Sequence, residues 1–174
     1  MASPLVFNVT ALLRGSGMPE QRTQTGVSEE RIGVAMIAIE PGTELTVDAT
    51  LTPLGEGIMV DATVSSTLTG QCSRCLTELH PAYEVTVNEV FAASEDFIQG
   101  DAGDDEDEIP QVVGDDINLT QSVIDAAGLD LPFNPTCEYF GLDCGDDEVP
   151  APDGVSGEED DRPDPRWAGL EKFK

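Results

Sequence analysis

Apolar and polar residues alternate most regularly in the middle of the chain. Leu45, Val47, Ala49 and Leu51 are interleaved with Thr46, Asp48 and Thr50, a period of two that predicts a strand buried on one face. The pattern resumes over 58–68, through Val60, Ala62, Val64 and Ser66, and again over 83–91, where Tyr83, Val85 and Val87 are expected to point inward. Pro53-Leu-Gly-Glu-Gly57 supplies a turn between the first two strands, and Thr69-Gly70 leads into Cys72-Ser73-Arg74-Cys75. Upstream, 32–39 reads as one buried strand followed by a turn at Pro41-Gly42. Strands joined this closely predict an antiparallel meander, open or closed into a small barrel, with the Cys-x-x-Cys at one hairpin end.

Helical patterns occur in three places. Asn8 is placed to cap a short helix over 9–14 that Gly15-Ser-Gly17 would stop. Leu119, Val123, Ile124 and Ala127 recur at helical spacing, predicting a helix over 119–127 that packs one face on the sheet, with Gly128 as its C-cap. Asp164-Pro165 opens a short terminal helix over 164–174, with Trp167, Leu170 and Phe173 on one face. The polar stretch 18–30 reads as a loop, and Leu131-Pro-Phe-Asn-Pro135 as an extended arm leading to Cys137. The fold class is therefore α+β: a meander, one packed helix and short terminal helices. The expected organisation is a single domain over 1–145 with an acidic disordered insert at about 94–110, an acidic flexible linker over 146–163, and the helix over 164–174.

Charge narrows the functions open to this chain. Formal net charge is −27, from 35 Asp and Glu against 8 Lys and Arg. About half of the acids crowd into the windows 94–110 and 143–164, where like charges repel, stay hydrated and resist burial. Arg74 is the only Lys or Arg between Arg31 and Arg162. So sparse a set of cations builds no broad face for phosphates, and RNA contact is expected to be indirect or weak. A basic protein partner suits the charge better. The longest apolar run, 34–39, is far short of the roughly twenty residues that span a bilayer, and the first residues lack the pattern of a secretory signal. A cytoplasmic monomer with no membrane partner is the expectation.

The four cysteines carry the chemistry. Cys72 and Cys75 form a knuckle, and Cys137 and Cys144 lie about sixty residues downstream. Two pairs of soft ligands under reducing conditions point to one tetrahedral zinc site tying distant segments together, with Arg74 offsetting thiolate charge. Two alternatives stay open at this level: a redox pair at Cys72 and Cys75, or buried cysteines acting as small hydrophobes. His80 is the sole histidine and reads as an exposed loop residue. No multi-histidine site can be assembled, any histidine-based nucleophile relay would have to use His80, and no phosphate-cradling glycine motif is present, so nothing in the residues singles out an enzyme and a non-enzymatic protein is the expectation.

Several features coincide in order and spacing: Leu12-Leu13-Arg14-Gly15, the strand between Gly57 and Gly70, Cys72-Ser-Arg-Cys75-Leu76, the helix running into Leu131-Pro-Phe-Asn-Pro135, and a terminal Asp164-Pro-Arg-Trp-Ala-Gly-Leu170. Together they resemble the YceD-like family, the large ribosomal RNA subunit accumulation proteins, in its actinobacterial form. The resemblance implies a cytoplasmic, metal-binding bacterial protein that supports accumulation or processing of large-subunit ribosomal RNA, and so assembly of that subunit; taken with the charge of −27 it leads to the expectation of action through basic ribosomal or RNA-processing proteins. Cys72 and Cys75 match the family's first pair, and Cys137 and Cys144 the outer cysteines of its downstream cluster. Many actinobacterial members carry two further cysteines where this chain has 140–142, which leaves a bridging site built from both pairs as the simplest reading, with a site lost altogether as the alternative. A small cytosolic metal or redox protein, or a weak RNA-binding module using Arg74 and the N-terminal arginines, are the alternative functions.

Overall fold

The structure is a computed structural model that describes residues 3–15, 17–94 and 109–144. Most of the acidic insert, the linker over 146–163 and the terminal helix over 164–174 lie outside the described residues. In chain order the elements are β1 (Val6–Asn8), α1 (Thr10–Arg14), β2 (Glu20–Val27), β3 (Ile32–Val34), β4 (Ile37–Ile39), β5 (Glu44–Pro53), β6 (Gly57–Thr67), β7 (Thr69–Gln71), β8 (Glu78–Leu79), β9 (Ala82–Ala92), β10 (Asp116–Asn118) and α2 (Thr120–Asp130). The main sheet has the order β2-β5-β6-β9, a smaller one β3-β4-β7-β8, and β1 pairs with β10. All these pairings are antiparallel. The main sheet is open, with β2 and β9 at its edges, so no barrel closes.

The alternating strands fold as their patterns dictate. Val47, Ala49 and Leu51 of β5, Val60, Ala62 and Val64 of β6, and Val85 and Val87 of β9 are buried on one face of the main sheet. They join a single apolar core with Ile32, Ile37 and Ile39 of the small sheet and with Leu119, Val123 and Ala127 at α2. Helix α2 packs on β9 and β3. The two strands of the third sheet each turn into a helix through an asparagine. Asn8 Oδ1 accepts from the Thr10 N–H at 3.3 Å, and Asn118 Oδ1 from the Thr120 N–H at 2.9 Å. Both side chains take up helix N–H groups that lack intrahelical partners.

Three expectations are corrected. The stretch 18–30 contains an eight-residue strand, β2, rather than a loop. Its side chains are polar on both faces, so no apolar period marks it; an edge strand needs only its backbone ladder, here the register from Glu20↔Leu51 to Val27↔Glu44. Arg22 adds a tether, pairing with Glu20 at 2.8 Å and donating to the Asn8 carbonyl. The apolar run 32–39 is two strands, β3 and β4, folded back through Ala35-Met36 so that Val34 faces Ile37. A run without a polar residue carries no period from which such a reversal could be read. Gly128 does not end α2, which continues to Asp130 before extended Leu131, whose N–H reaches the Ala127 carbonyl at 3.0 Å.

The cysteine knuckle sits on an excursion from the main sheet. β6 and β9 pair along their full length, from Gly57↔Ala92 to Thr67↔Ala82, and the Leu68 N–H donates to the Pro81 carbonyl at 3.0 Å where they part. Beyond that point β7 and β8 pair with each other, and β7 crosses to β4. The crossing is tight at Gly70, where a Cβ would lie 2.7 Å from Ile37 Cγ1 and from the Met36 carbonyl oxygen. Gly128 faces open space, with nothing within 4 Å of a built Cβ.

Opposite effects are therefore expected from adding one methyl group at these two glycines. Gly70→Ala should destabilise by about 1–3 kcal/mol through overpacking, and Gly128→Ala should stabilise by about 0.4–1 kcal/mol through helix propensity and a less flexible unfolded chain. Urea denaturation of the two variants beside the wild type measures both.

Candidate metal centre

Four thiols from two loops distant in sequence meet in one cluster. The Sγ atoms of Cys72, Cys75, Cys137 and Cys144 all lie within 4.8 Å of one another. Cys75 and Cys137 are 3.5 Å apart, Cys72 and Cys144 3.7 Å, and no disulfide joins them. All four cysteines singled out in the sequence are brought together, each close contact joining a knuckle sulfur to a downstream one. The spacing suits a metal ion, since the corners of a zinc–thiolate tetrahedron with bonds of about 2.3 Å are about 3.8 Å apart.

Backbone hydrogen bonds shape the first half. The Leu76 N–H donates to the Cys72 carbonyl at 2.9 Å, the Cys72 N–H to the Thr77 carbonyl at 2.9 Å, and Gln71 Nε2 to the Leu76 carbonyl at 2.8 Å. This tight turn holds Leu76 at φ 62°, the only non-glycine positive φ among the described residues. The left-handed conformation costs a leucine about 1–2 kcal/mol. The second half is a loop that folds back on itself. A short 3-10 turn over Glu138–Phe140 ends at Gly141 with φ 69°, and the Leu142 N–H returns to the Cys137 carbonyl at 2.8 Å. This reversal brings Cys144 back beside Cys137 despite the six residues between them.

The halves are docked directly. The Ser73 N–H donates to the Pro135 carbonyl at 2.8 Å, and the Cys137 N–H points at Cys72 Sγ at 3.4 Å. The arm Leu131-Pro-Phe-Asn-Pro135, bent at Leu131, Phe133 and Asn134 rather than extended throughout, leads to Cys137 beside the knuckle. Cys72, Leu79 and Cys137 form a small buried cluster against which Phe140 packs, and Phe140 also touches the main core. The site is thus continuous with the interior of the fold.

The thiols divide into two classes. Burial opposes ionisation of Cys72, but N–H groups of Cys75, Arg74 and Cys137 directed at its sulfur outweigh burial and bring it down to about 6. Cys75 is lowered chiefly by the Thr77 hydroxyl, 3.3 Å away. Cys137 and Cys144 are raised, by burial first and then by the neighbouring Cys75. The knuckle thiols therefore ionise more readily than the downstream thiols, whose charged forms burial disfavours first. Arg74 is exposed, and what it gives Cys72 is its backbone N–H. Thr77, Gln71 and the Pro135 carbonyl went unmarked in the sequence reading. Thr77, two residues past Cys75, is the one whose position alone could have suggested a thiol partner.

Other features are plainer. His80 is exposed, as expected, with Nε2 3.8 Å from a Glu78 carboxylate oxygen. A groove of about 620 Å³ on the main sheet is lined by hydroxyls and carboxylates, among them Thr23, Asp48, Thr50, Asp61 and Thr63, and by none of the cysteine loops. Among the described residues no helix is long and apolar enough to cross a membrane.

Comparison with known proteins places the chain. The family described as "Large ribosomal RNA subunit accumulation protein YceD" matches residues 60–174. An uncharacterized protein of Mycobacterium tuberculosis is 36% identical over 172 residues, covering 98% of this chain and 81% of the relative. An uncharacterized protein of Mycobacterium leprae is 36% identical over 174 residues, covering 98% and 77%. No solved structure matches. With its knuckle, downstream cysteines and strands falling within or alongside that match, the chain belongs to the YceD family of large ribosomal RNA subunit accumulation proteins.

Proposed function

We propose that the four cysteines hold one structural zinc ion, and that the protein is a cytoplasmic, non-enzymatic factor supporting large-subunit ribosomal RNA accumulation through contacts with basic proteins. The zinc reading is carried by one observation: four sulfurs from loops about sixty residues apart lie within 4.8 Å of one another. Four thiolate ligands complete a tetrahedron and leave no open position for substrate, the pattern of a structural site. When bound, the ion supplies a cross-link between the β7–β8 hairpin and the arm after α2. The N–H groups around Cys72 offset part of the charge of a four-thiolate site.

The functional reading is supported by the family and by the distribution of charge. Arg14, Arg22, Arg31 and Arg74 are the only Lys or Arg among the described residues. Arg22 is engaged by Glu20 and Arg31 by Glu40. Little cationic surface remains to displace counterions from phosphates, which favours action through a protein over direct grip on RNA.

Native mass spectrometry of untagged protein should show one zinc per chain, removed by chelator. Cys72→Ser and Cys137→Ser should each lose the metal and lower the thermal midpoint. A zinc-free chain whose thiol count falls under mild oxidant would replace this reading with the redox one.

Zinc binding near neutral pH should release at least two protons, because Cys137 and Cys144, both raised, give theirs up to the metal. Affinity should therefore rise between about pH 6 and pH 8 and fall on acidification, as protons compete for the thiolates. Calorimetry in buffers of different ionisation enthalpy counts the protons, and chelator competition follows the affinity.

Depletion of the protein in its host should lower large-subunit ribosomal RNA relative to small-subunit RNA and reduce free and assembled large subunits. Unchanged RNA ratios and sucrose-gradient profiles would end the assembly reading.

A further inference from the structure

We propose that the outer surface of the cysteine loops is the docking face for a basic protein segment, one that sets an apolar side chain against Leu76, Tyr139 and Leu142 and places Lys or Arg on the carboxylates beside them. The proposal rests on the protein-contact reading above and assigns that contact a place.

Three observations carry it. The first is an accumulation of largely exposed apolar groups on the cysteine loops, of which Tyr139 also packs edge-on against Phe140 at 4.9 Å between ring centroids. Leu76 is 64% exposed, Tyr139 58% and Leu142 50%. Leu76 follows Cys75, while Tyr139 and Leu142 lie between Cys137 and Cys144, so the convergence of the four sulfurs brings the two loops that carry all three together. Phe133, 74% exposed, lies two residues before Pro135, whose carbonyl accepts from Ser73 in the knuckle. Contiguous exposed apolar groups with a polar rim mark interaction sites.

The second observation is Leu76 itself. Its backbone is held at φ 62° by the knuckle, a conformation that glycine or asparagine adopts more readily. Its side chain repays nothing to the core, being exposed. A strained residue whose side chain does not serve the fold points to a role at the surface.

The third is charge. Glu78, Glu138 and Asp143 are exposed on these same loops, against the one cation Arg74. Carboxylates around an apolar centre select a partner that is both basic and apolar and repel phosphate. A second copy of this chain, at net charge −27, would bring carboxylates against carboxylates. The proposed zinc ion would keep the two loops, and so the two halves of the face, in fixed relation.

The test uses the zinc-loaded full chain as bait and, as probe, nuclease-treated proteins extracted by lithium chloride from bacterial large ribosomal subunits. Poly-lysine and a fragment of large-subunit ribosomal RNA are run beside them. The wild type should retain a discrete set of basic ribosomal proteins, identified by mass spectrometry. Leu76→Asn, which suits the left-handed backbone and removes the apolar anchor, should weaken that binding at least about tenfold, with zinc content unchanged and the thermal midpoint unchanged or raised. Asp48→Asn with Asp61→Asn, in the groove of the main sheet, should leave binding intact. Should Leu76→Asn lose zinc, Tyr139→Ser carries the same expectation. The proposal is overturned if the anchor variant binds like wild type, if the sheet-groove variant is the one that fails, if poly-lysine or RNA is retained as well as the ribosomal proteins, if the chain captures only itself, or if the wild type retains nothing. Depletion of the host protein tests the assembly reading separately: a ribosomal RNA defect that Leu76→Asn fully corrects would leave assembly standing and remove this docking face.

Discussion

The ladder between β6 and β9 is the constraint on which the rest depends. Eleven consecutive pairs, from Gly57↔Ala92 to Thr67↔Ala82, align Val60, Ala62 and Val64 with Val85 and Val87 on one side of the sheet. That apolar face recruits the small sheet and α2 into one core. A slip of one residue would turn every one of these side chains to the opposite face. The same ladder ends at the Leu68–Pro81 hydrogen bond, and the chain between these two residues must leave the main sheet. The knuckle therefore stands at a place determined by the register of the longest strands.

The second half of the site reaches that place by a different route. Helix α2 packs its buried side chains, Val123 and Ala127, into the core and ends at Asp130. Leu131 anchors the exit, and the arm runs on to Pro135, where a main-chain hydrogen bond to Ser73 joins it to the knuckle. Bringing the loops together carries the entropic cost of closing a segment of about sixty residues, a cost that grows only slowly with loop length. Much of it is met by α2 packing and by the hydrogen bonds around Cys72, leaving thiols preorganised at spacings of 3.5 and 3.7 Å. Their uneven ionisation follows from the same geometry: N–H groups converge on Cys72, while Cys137 and Cys144 are burdened by burial and by the other sulfurs.

Charge and shape divide the surface. The main sheet turns threonines, serines and carboxylates outward, whereas the cysteine end turns out leucine and aromatic side chains. On the proposed function, a chain so poor in cations would draw affinity for a ribosomal particle from the basic proteins of that particle more than from its phosphates. A rigid end bearing apolar groups within an acidic surround suits that demand.

Much of this could be read from residues in order. The alternation through β5, β6 and β9 announced strands and their inward faces, because a half-buried strand must alternate. Helix spacing placed α2 within a few residues of its observed limits, and the cysteine spacings announced two halves of one cluster. What the sequence hid depends on contacts between segments. The polar strand β2 is held by its backbone register with β5 and carries no apolar period. The hairpin within 32–39 lies inside a run that contains no polar residue to mark the turn at Ala35-Met36. The ends of α2 were set by Leu131 seating in the core, against the local preference of Gly128. At the site, residue types and spacing determined which atoms could ligate. Only the tertiary structure decided that Cys75 faces Cys137 and Cys72 faces Cys144, and that Leu76 is strained and exposed. These follow from where two loops about sixty residues apart are brought by sheet register and helix packing, and no local pattern encodes a long-range distance.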